Sequence, residues 1–175
     1  MPLDLATAQP VDESTLRDVE RFLFREAELV DDRNFEPWLD LFADDLDYRG
    51  PIRVWRGDSG YQIDPVACYF SDTKQTLRIR VQRIATGLAW AESPPSVTRH
   101  FVSNLRVVEG PDADQRTARA NVLITRSRGP SQLQETFALD RIDTLRRAGD
   151  SFHIVRRLAI LDSSMPSAQN LAIFF

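Results

Sequence analysis

The 175-residue chain is poor in the side chains that metals and redox chemistry use: one cysteine, Cys68, and two histidines, His100 and His153. A lone cysteine builds no disulfide framework within the chain and fits a reducing cytoplasm. Without HxxxH, CxxC or facial-triad spacing, these three residues argue against a metal held within one chain. The seven glycines form neither GxxxxGKS/T nor GxGxxG, so no phosphate cradle is encoded, and no GxSxG elbow marks a serine hydrolase. No apolar run approaches the ~20 residues that span a bilayer. The first ten residues, "MPLDLATAQP", lack the basic start and apolar centre of a signal peptide and read as a flexible leader. A basic stripe of the kind that grips nucleic acid is also missing.

What is present is an ordinary globular composition at a length that suits one domain, able to bury roughly 70% of its unfolded surface. The expected organisation is a leader over 1–11 and a single domain over 12–175. Charge is uneven. Residues 1–50 hold fourteen acids and five Arg, and the remainder holds twelve acids and seventeen Lys or Arg. Either the two parts compensate each other within the fold, or an acidic face of one chain meets a basic face of another. Lys74 is the only lysine, and arginine is the better residue for buried or interfacial ion pairs.

"VDESTLRDVERFLFREAELVDDRNF" opens with capping chemistry at Asp12 or Ser14, and Leu16, Val19, Phe22, Leu23 and Val30 recur at helical steps. The pattern predicts a helix over 13–31, with Asp31-Asp32-Arg33 as its solvated end. "FEPWLDLFADD" reads as a short second helix with Pro37 in its first turn. "LDYRGPIRVWRG" is strand-like, interrupted at Gly50-Pro51, and 57–71 reads as a loop. A third helix in "SDTKQTLRIRVQRIATG" takes Ser71 or Asp72 as cap and stops at Gly87. From residue 98 the period becomes two. Four extended segments follow, separated by Gly110-Pro111-Asp112, Gly129-Pro130 and Gly149-Asp150. Helices segregated to one side of an antiparallel sheet predict an α+β fold. Strands this long predict a strongly curved, mostly antiparallel sheet wrapped round three N-terminal helices as a cone.

Such a cone could enclose acid–base groups, with Asp32, Asp47, Tyr48, His100 and Asp143 as candidates. The fold would resemble ketosteroid isomerase and scytalone dehydratase, the NTF2-like group. Those enzymes move protons on a small apolar substrate with a carboxylate and Tyr or His partners. Against this, Asp47 and Tyr48 point to opposite faces of a strand. The expectation of a free-standing isomerase or dehydratase is therefore the alternative. A partner-free ligand-binding domain is a third, with nothing specific in its favour.

"RIATGLAWAESPPSVTRHFVSNLRV" (83–107) resembles the small, or beta, subunit of bacterial aromatic ring-hydroxylating dioxygenases, the Rieske non-haem iron oxygenases. "FLFREAELVDDRNFEPWLDLFADD" (22–45), "RIDTLRRAGDSFHIVRRLAILDSS" (141–164) and the closing "NLAIFF" are similar to landmarks of the same family, in the same order. One stretch departs: "DYRGP" (47–51) stands where the family commonly has "HYxMP". The resemblance implies a non-catalytic assembly subunit that supplies no iron ligand. It joins a larger alpha subunit, typically as an α3β3 hexamer with beta–beta contacts. The alpha chain would carry the Rieske 2Fe–2S cluster and the mononuclear Fe(II), and would oxidise an aromatic ring with O2 and NAD(P)H-derived electrons. Pro94-Pro95 would stiffen the loop that presents Trp90. Trp90 either packs between subunits or plugs its own cone. Arg99, His100, Phe174 and Phe175 are the other expected interface residues, since aromatic and Arg side chains are enriched at interfaces.

Overall fold

The computed structural model describes residues 8–86, 92–129, 134–166, 168 and 170–175. Trp90 and the Gly87 helix stop lie outside these residues. The first helix, α1 (Glu13–Asp31), begins where the Asp12 carboxylate accepts from the Thr15 amide at 2.9 Å and the Thr15 hydroxyl at 2.7 Å. These bonds satisfy donors that a helix start leaves unpaired. Val19, Phe22, Leu23, Ala27 and Val30 face the core as the spacing predicts, but Thr15 takes the inward place expected of Leu16. Beyond α1, Arg33 adopts a left-handed backbone, φ 58°, that turns the chain into α2 (Phe35–Leu39).

Two strands intervene before the third helix, in contrast to the expected run of three helices. β1 (Phe42–Trp55) and β2 (Tyr61–Asp72) form a hairpin, so most of the expected loop over 57–71 is sheet. Its turn is a 3-10 segment, Gly57–Ser59, with Gly57 and Gly60 at φ 58° and 69°. The cap of α3 (Lys74–Ala85) is Thr73 rather than Ser71 or Asp72. Its hydroxyl accepts from the Thr76 amide at 3.3 Å, and the Thr76 hydroxyl accepts from the Thr73 amide at 2.9 Å. That reciprocal pair is a capping box. The four later strands are β3 (Ser96–Glu109), β4 (Gln115–Arg128), β5 (Glu135–Ala148) and β6 (Ser151–Leu161).

The six strands are ordered β2-β1-β6-β5-β4-β3, antiparallel at every junction except the parallel β1–β6 pair. The sheet is not strongly curled, unlike the expected cone wall. It ends in two separate edges, β2 and β3, and the helices and the chain's last residues fill one face only. Alternation then sorts the strands: Phe137, Leu139 and Leu145 of β5, and Ala118, Ala120, Val122 and Ile124 of β4, face that filling. Part of the expected leader is tied down, because Pro10 bridges Val108 and the Glu109 amide donates to the Gln9 carbonyl at 3.0 Å.

The departure at 47–51 has a local cause. A Cβ on Gly50 would stand 2.4 Å from the Phe70 ring. That ring stacks on Phe175 at 5.6 Å and meets Tyr48 edge-on at 5.1 Å, so it cannot move freely. Pro51 follows at a register shift, where a strand tolerates a missing donor. Phe70 thus takes the volume that a side chain at position 50 would need. Gly50→Met should destabilise the chain by about 1–3 kcal/mol through overpacking. Phe70→Ala should cost less in that background than in the parent chain, which urea unfolding of the double-mutant cycle will measure.

Candidate functional site

The inward alternation of β5 and β6 also carries charge into the core. Arg141 and Asp143 on β5 and Arg157 on β6 are each no more than 1% exposed, and Glu26 arrives from the buried stripe of α1 at 2%. Arg157 forks onto Asp143, Nε to Oδ1 at 2.8 Å and Nη2 to Oδ2 at 2.9 Å, and its Nη1 donates to Glu26 Oε1 at 2.8 Å. Arg141 Nη1 donates to Glu26 Oε2 at 3.1 Å, and Trp38 Nε1 donates to Glu26 Oε1 at 2.8 Å. Two acids and two arginines form a buried group with equal numbers of each charge, in which Arg141 Nε lies 3.4 Å from Asp143 Oδ2. Burial alone would raise the Glu26 pKa, but Arg157 and Arg141 with their hydrogen bonds hold it at about 2. Arg157, despite burial, is held above its ordinary value by Asp143 and Glu26.

The last residues of the chain lie against this group. Arg126 donates to the Asn170 side-chain and backbone oxygens, each at 3.1 Å, and Arg80 Nη2 donates to the Ile173 carbonyl at 3.1 Å. His100 Nε2 lies 3.1 Å from the Phe174 carbonyl. Tyr48 Oη donates to the Phe175 oxygen and accepts from the Phe175 amide, both at 2.8 Å, and Arg157 Nη1 reaches the same oxygen at 3.1 Å. The Phe174 ring packs between Trp38 at 4.5 Å and Phe35 at 5.4 Å, and Phe175 between Phe70 and Phe137. The tail fills the interior between the helices and the sheet. Beside His100 and Phe174 about 20 Å³ remains, room for about one water.

The five acid–base candidates therefore do not converge on an open pocket. Tyr48 is bound to the tail, and burial pushes its hydroxyl up to about 12. Asp143 is locked by Arg157. Asp32 is exposed at the end of α1, and Asp47 lies on the other face of β1 with Arg49 and Arg156. His100 faces acceptors with both ring nitrogens, since Nδ1 lies 2.6 Å from Asp31 Oδ1. Its backbone amide and Thr98 also donate to Asp31, at 2.8 and 2.9 Å. Burial would raise the Asp31 pKa, but these partners, His100 first, hold it below the ordinary range. The expected solvated end of α1 is half wrong, because Asp31 turns inward while Asp32 faces water.

His100, Phe174 and Phe175, expected at a subunit interface, are buried within their own chain. Arg99 is exposed on the outer face of edge strand β3, with Val97 and Phe101 at 66% and 52% exposure beside it. Glu26, Arg141 and Arg157 escaped the sequence reading. Their signal was position, a Glu inside an apolar helical stripe and charges on the inward alternation of two strands. Among the described residues no three His, Cys, Asp or Glu side chains converge as a metal site. His100 is engaged by Asp31, His153 is exposed on β6 and Cys68 stands in β2, so these residues do not fit an iron or iron–sulfur site.

This geometry defines a class: an α+β chain with its helices on one face of a six-stranded sheet, its own tail packed between them, and buried acids and arginines equal in number. Residues 25–167 match the family described as ring hydroxylating beta subunit, and the chain belongs to that family. It is 35% identical, over 172 residues, to the biphenyl 2,3-dioxygenase subunit beta of Rhodococcus jostii (strain RHA1), which covers 95% of this chain and 91% of the relative. Its fold is similar to that of naphthalene 1,2-dioxygenase with indole in the active site, at TM-score 0.85 and 23% identity, covering 94% of this chain and 88% of the other. A protein named for scytalone dehydratase from Novosphingobium aromaticivorans shares the fold at TM-score 0.66 and 16% identity, with 90% of each chain covered.

The Glu26 group makes a pH prediction. Folded Glu26 titrates at about 2 against an ordinary 4.5. As pH falls the unfolded chain takes up this proton first, so acid drives unfolding. Stability should decline from about pH 5 to about pH 2 in urea titrations. Glu26→Gln should flatten that decline and cost about 3–5 kcal/mol at pH 7, because two buried arginines lose a counter-charge.

Proposed function

We propose that this chain is the small subunit of an aromatic ring-hydroxylating dioxygenase and works by assembly rather than by chemistry of its own. Its partner is a larger Rieske-type alpha chain, three copies of each forming an α3β3 hexamer with beta–beta contacts in the cytoplasm. The alpha chain supplies the Rieske 2Fe–2S cluster and the mononuclear Fe(II), and with O2 and NAD(P)H-derived electrons it hydroxylates an aromatic compound. The family membership over most of the chain supports this reading. So does an interior spent on packing the chain's own tail, which moves any useful surface to the outside. Arg99, Val97 and Phe101 on the outer face of β3 are the part of that surface we assign to a subunit contact. An Arg with exposed apolar neighbours has the composition of an interface core.

Co-expression with the Rieske-type alpha chain encoded beside it should yield a complex several times the 20.0 kDa of this chain. The chain purified alone should hold no iron and show no turnover. Arg99→Glu combined with Phe101→Ser should weaken co-purification by about tenfold or more while leaving the urea midpoint of the lone chain unchanged. Failure to associate, or iron in the lone chain, overturns the proposal.

A further inference from the structure

A second space opens at the mouth of the fold, between α3, the end of β2 and the tail. Its volume is about 380 Å³, and Tyr69, Phe70, Ile84 and Leu171 give it apolar walls with Arg80 and Arg83 at its side. That volume lies in the range of small-ligand sites, which combine apolar walls with few polar groups.

Its charges can be assigned one by one. Asp72 is paired with Arg80 at 2.5 Å, and the Arg80 guanidinium also lies 4.9 Å over the Phe174 ring and 5.7 Å over Phe70. Glu92 accepts from the Ser96 amide at 3.1 Å and the Ser96 hydroxyl at 2.9 Å, and pairs with Arg33 at 3.4 Å. Both acids on the wall are thus compensated. Arg83, one turn after Arg80 on α3, has no ion-pair or hydrogen-bond partner for its guanidinium among the described residues. Among the described residues that line this cavity, the charge without a partner is thus a cation, beside aromatic and aliphatic walls.

We propose that this cavity binds a small aromatic carboxylate. The ring would lie against Phe70, Ile84 and Leu171, and the carboxylate would accept from Arg83 in the forked geometry that guanidinium favours. Its walls all come from this chain, and the assembly reading does not depend on it.

The test uses the full chain, with benzoate and 1-naphthoate as probes and benzyl alcohol as the neutral control, followed by calorimetry and ligand-observed NMR. Both carboxylates should bind saturably, with benzyl alcohol at least about tenfold weaker, since loss of a charged hydrogen bond has that size. Arg83→Met should weaken benzoate by a similar factor and leave the urea midpoint unchanged, because Arg83 is exposed. Arg119→Met, on the outer face of β4, should leave benzoate binding as it was. Absence of saturation by about 10 mM, equal binding of benzyl alcohol, or unchanged binding in Arg83→Met would each overturn the site, whereas co-purification with the alpha chain would be untouched.

Discussion

Four charges held away from water at the centre of the fold set the terms for what surrounds them. Transfer of Glu26, Asp143, Arg141 and Arg157 into the interior costs several kcal/mol per ion, and their mutual attraction returns that cost only in good geometry. Arg157 reaches such geometry through a fork onto Asp143, which requires β5 and β6 to keep the register that sets Asp143 opposite Arg157. A slip of one residue in β6 would turn Arg157 to the outer face and leave Asp143 inside without its partner. Glu26 must come from α1 at the height of both arginines, so the same group also fixes how the helix lies on the sheet. Hydrophobic residues of equal volume would stabilise as well or better, but they would define neither register nor helix position so narrowly.

The uneven charge along the chain resolves in the same way. Beyond Glu26, three acids of the first fifty residues pair with cations from the rest of the chain: Asp44 with Lys74 at 2.9 Å, Asp45 with Arg146 at 2.7 Å, Asp47 with Arg156 at 3.7 Å. Part of the charge asymmetry is thus compensated within the fold. Exposed pairs of this kind are worth little singly.

Elements with strong periodicity were legible in the sequence, and elements whose logic is tertiary were not. The α1 stripe and the period of two beyond residue 98 follow from side-chain spacing alone. β2 was hidden because Gly57, Gly60 and Pro65 carry turn chemistry, while its partner in β1 is what makes it a strand. The buried group was hidden for a different reason. Charged residues read as solvent-facing, so Arg141 and Arg157 looked like ordinary surface arginines until the opposite strand placed acids beside them. Asp31 and Asp32 differ only in which side of the helix end they leave, a difference no local pattern encodes. The tail was legible as apolar, but whether it packed inward or outward depended on the Tyr48, His100 and Arg157 groups waiting inside.

That tail decides what the buried acid–base groups are free to do. In a cone open at its mouth, a buried carboxylate with Tyr or His partners has the low dielectric and the room that proton transfer needs. Here the same kinds of group are present, yet each is satisfied by the polypeptide: Tyr48 by Phe175, His100 by Asp31 and Phe174, Asp143 by Arg157. Satisfying those groups removes the penalty of burying them and, with it, their freedom to exchange protons with a substrate. The two phenylalanine rings then convert a cavity into core, and packing energy that a ligand would have contributed becomes part of the chain's own stability. A chain built this way keeps its interior packed without a ligand. Rigidity before contact lowers the entropy lost on association, so a filled interior lowers the cost of any contact that the outer face of the sheet makes.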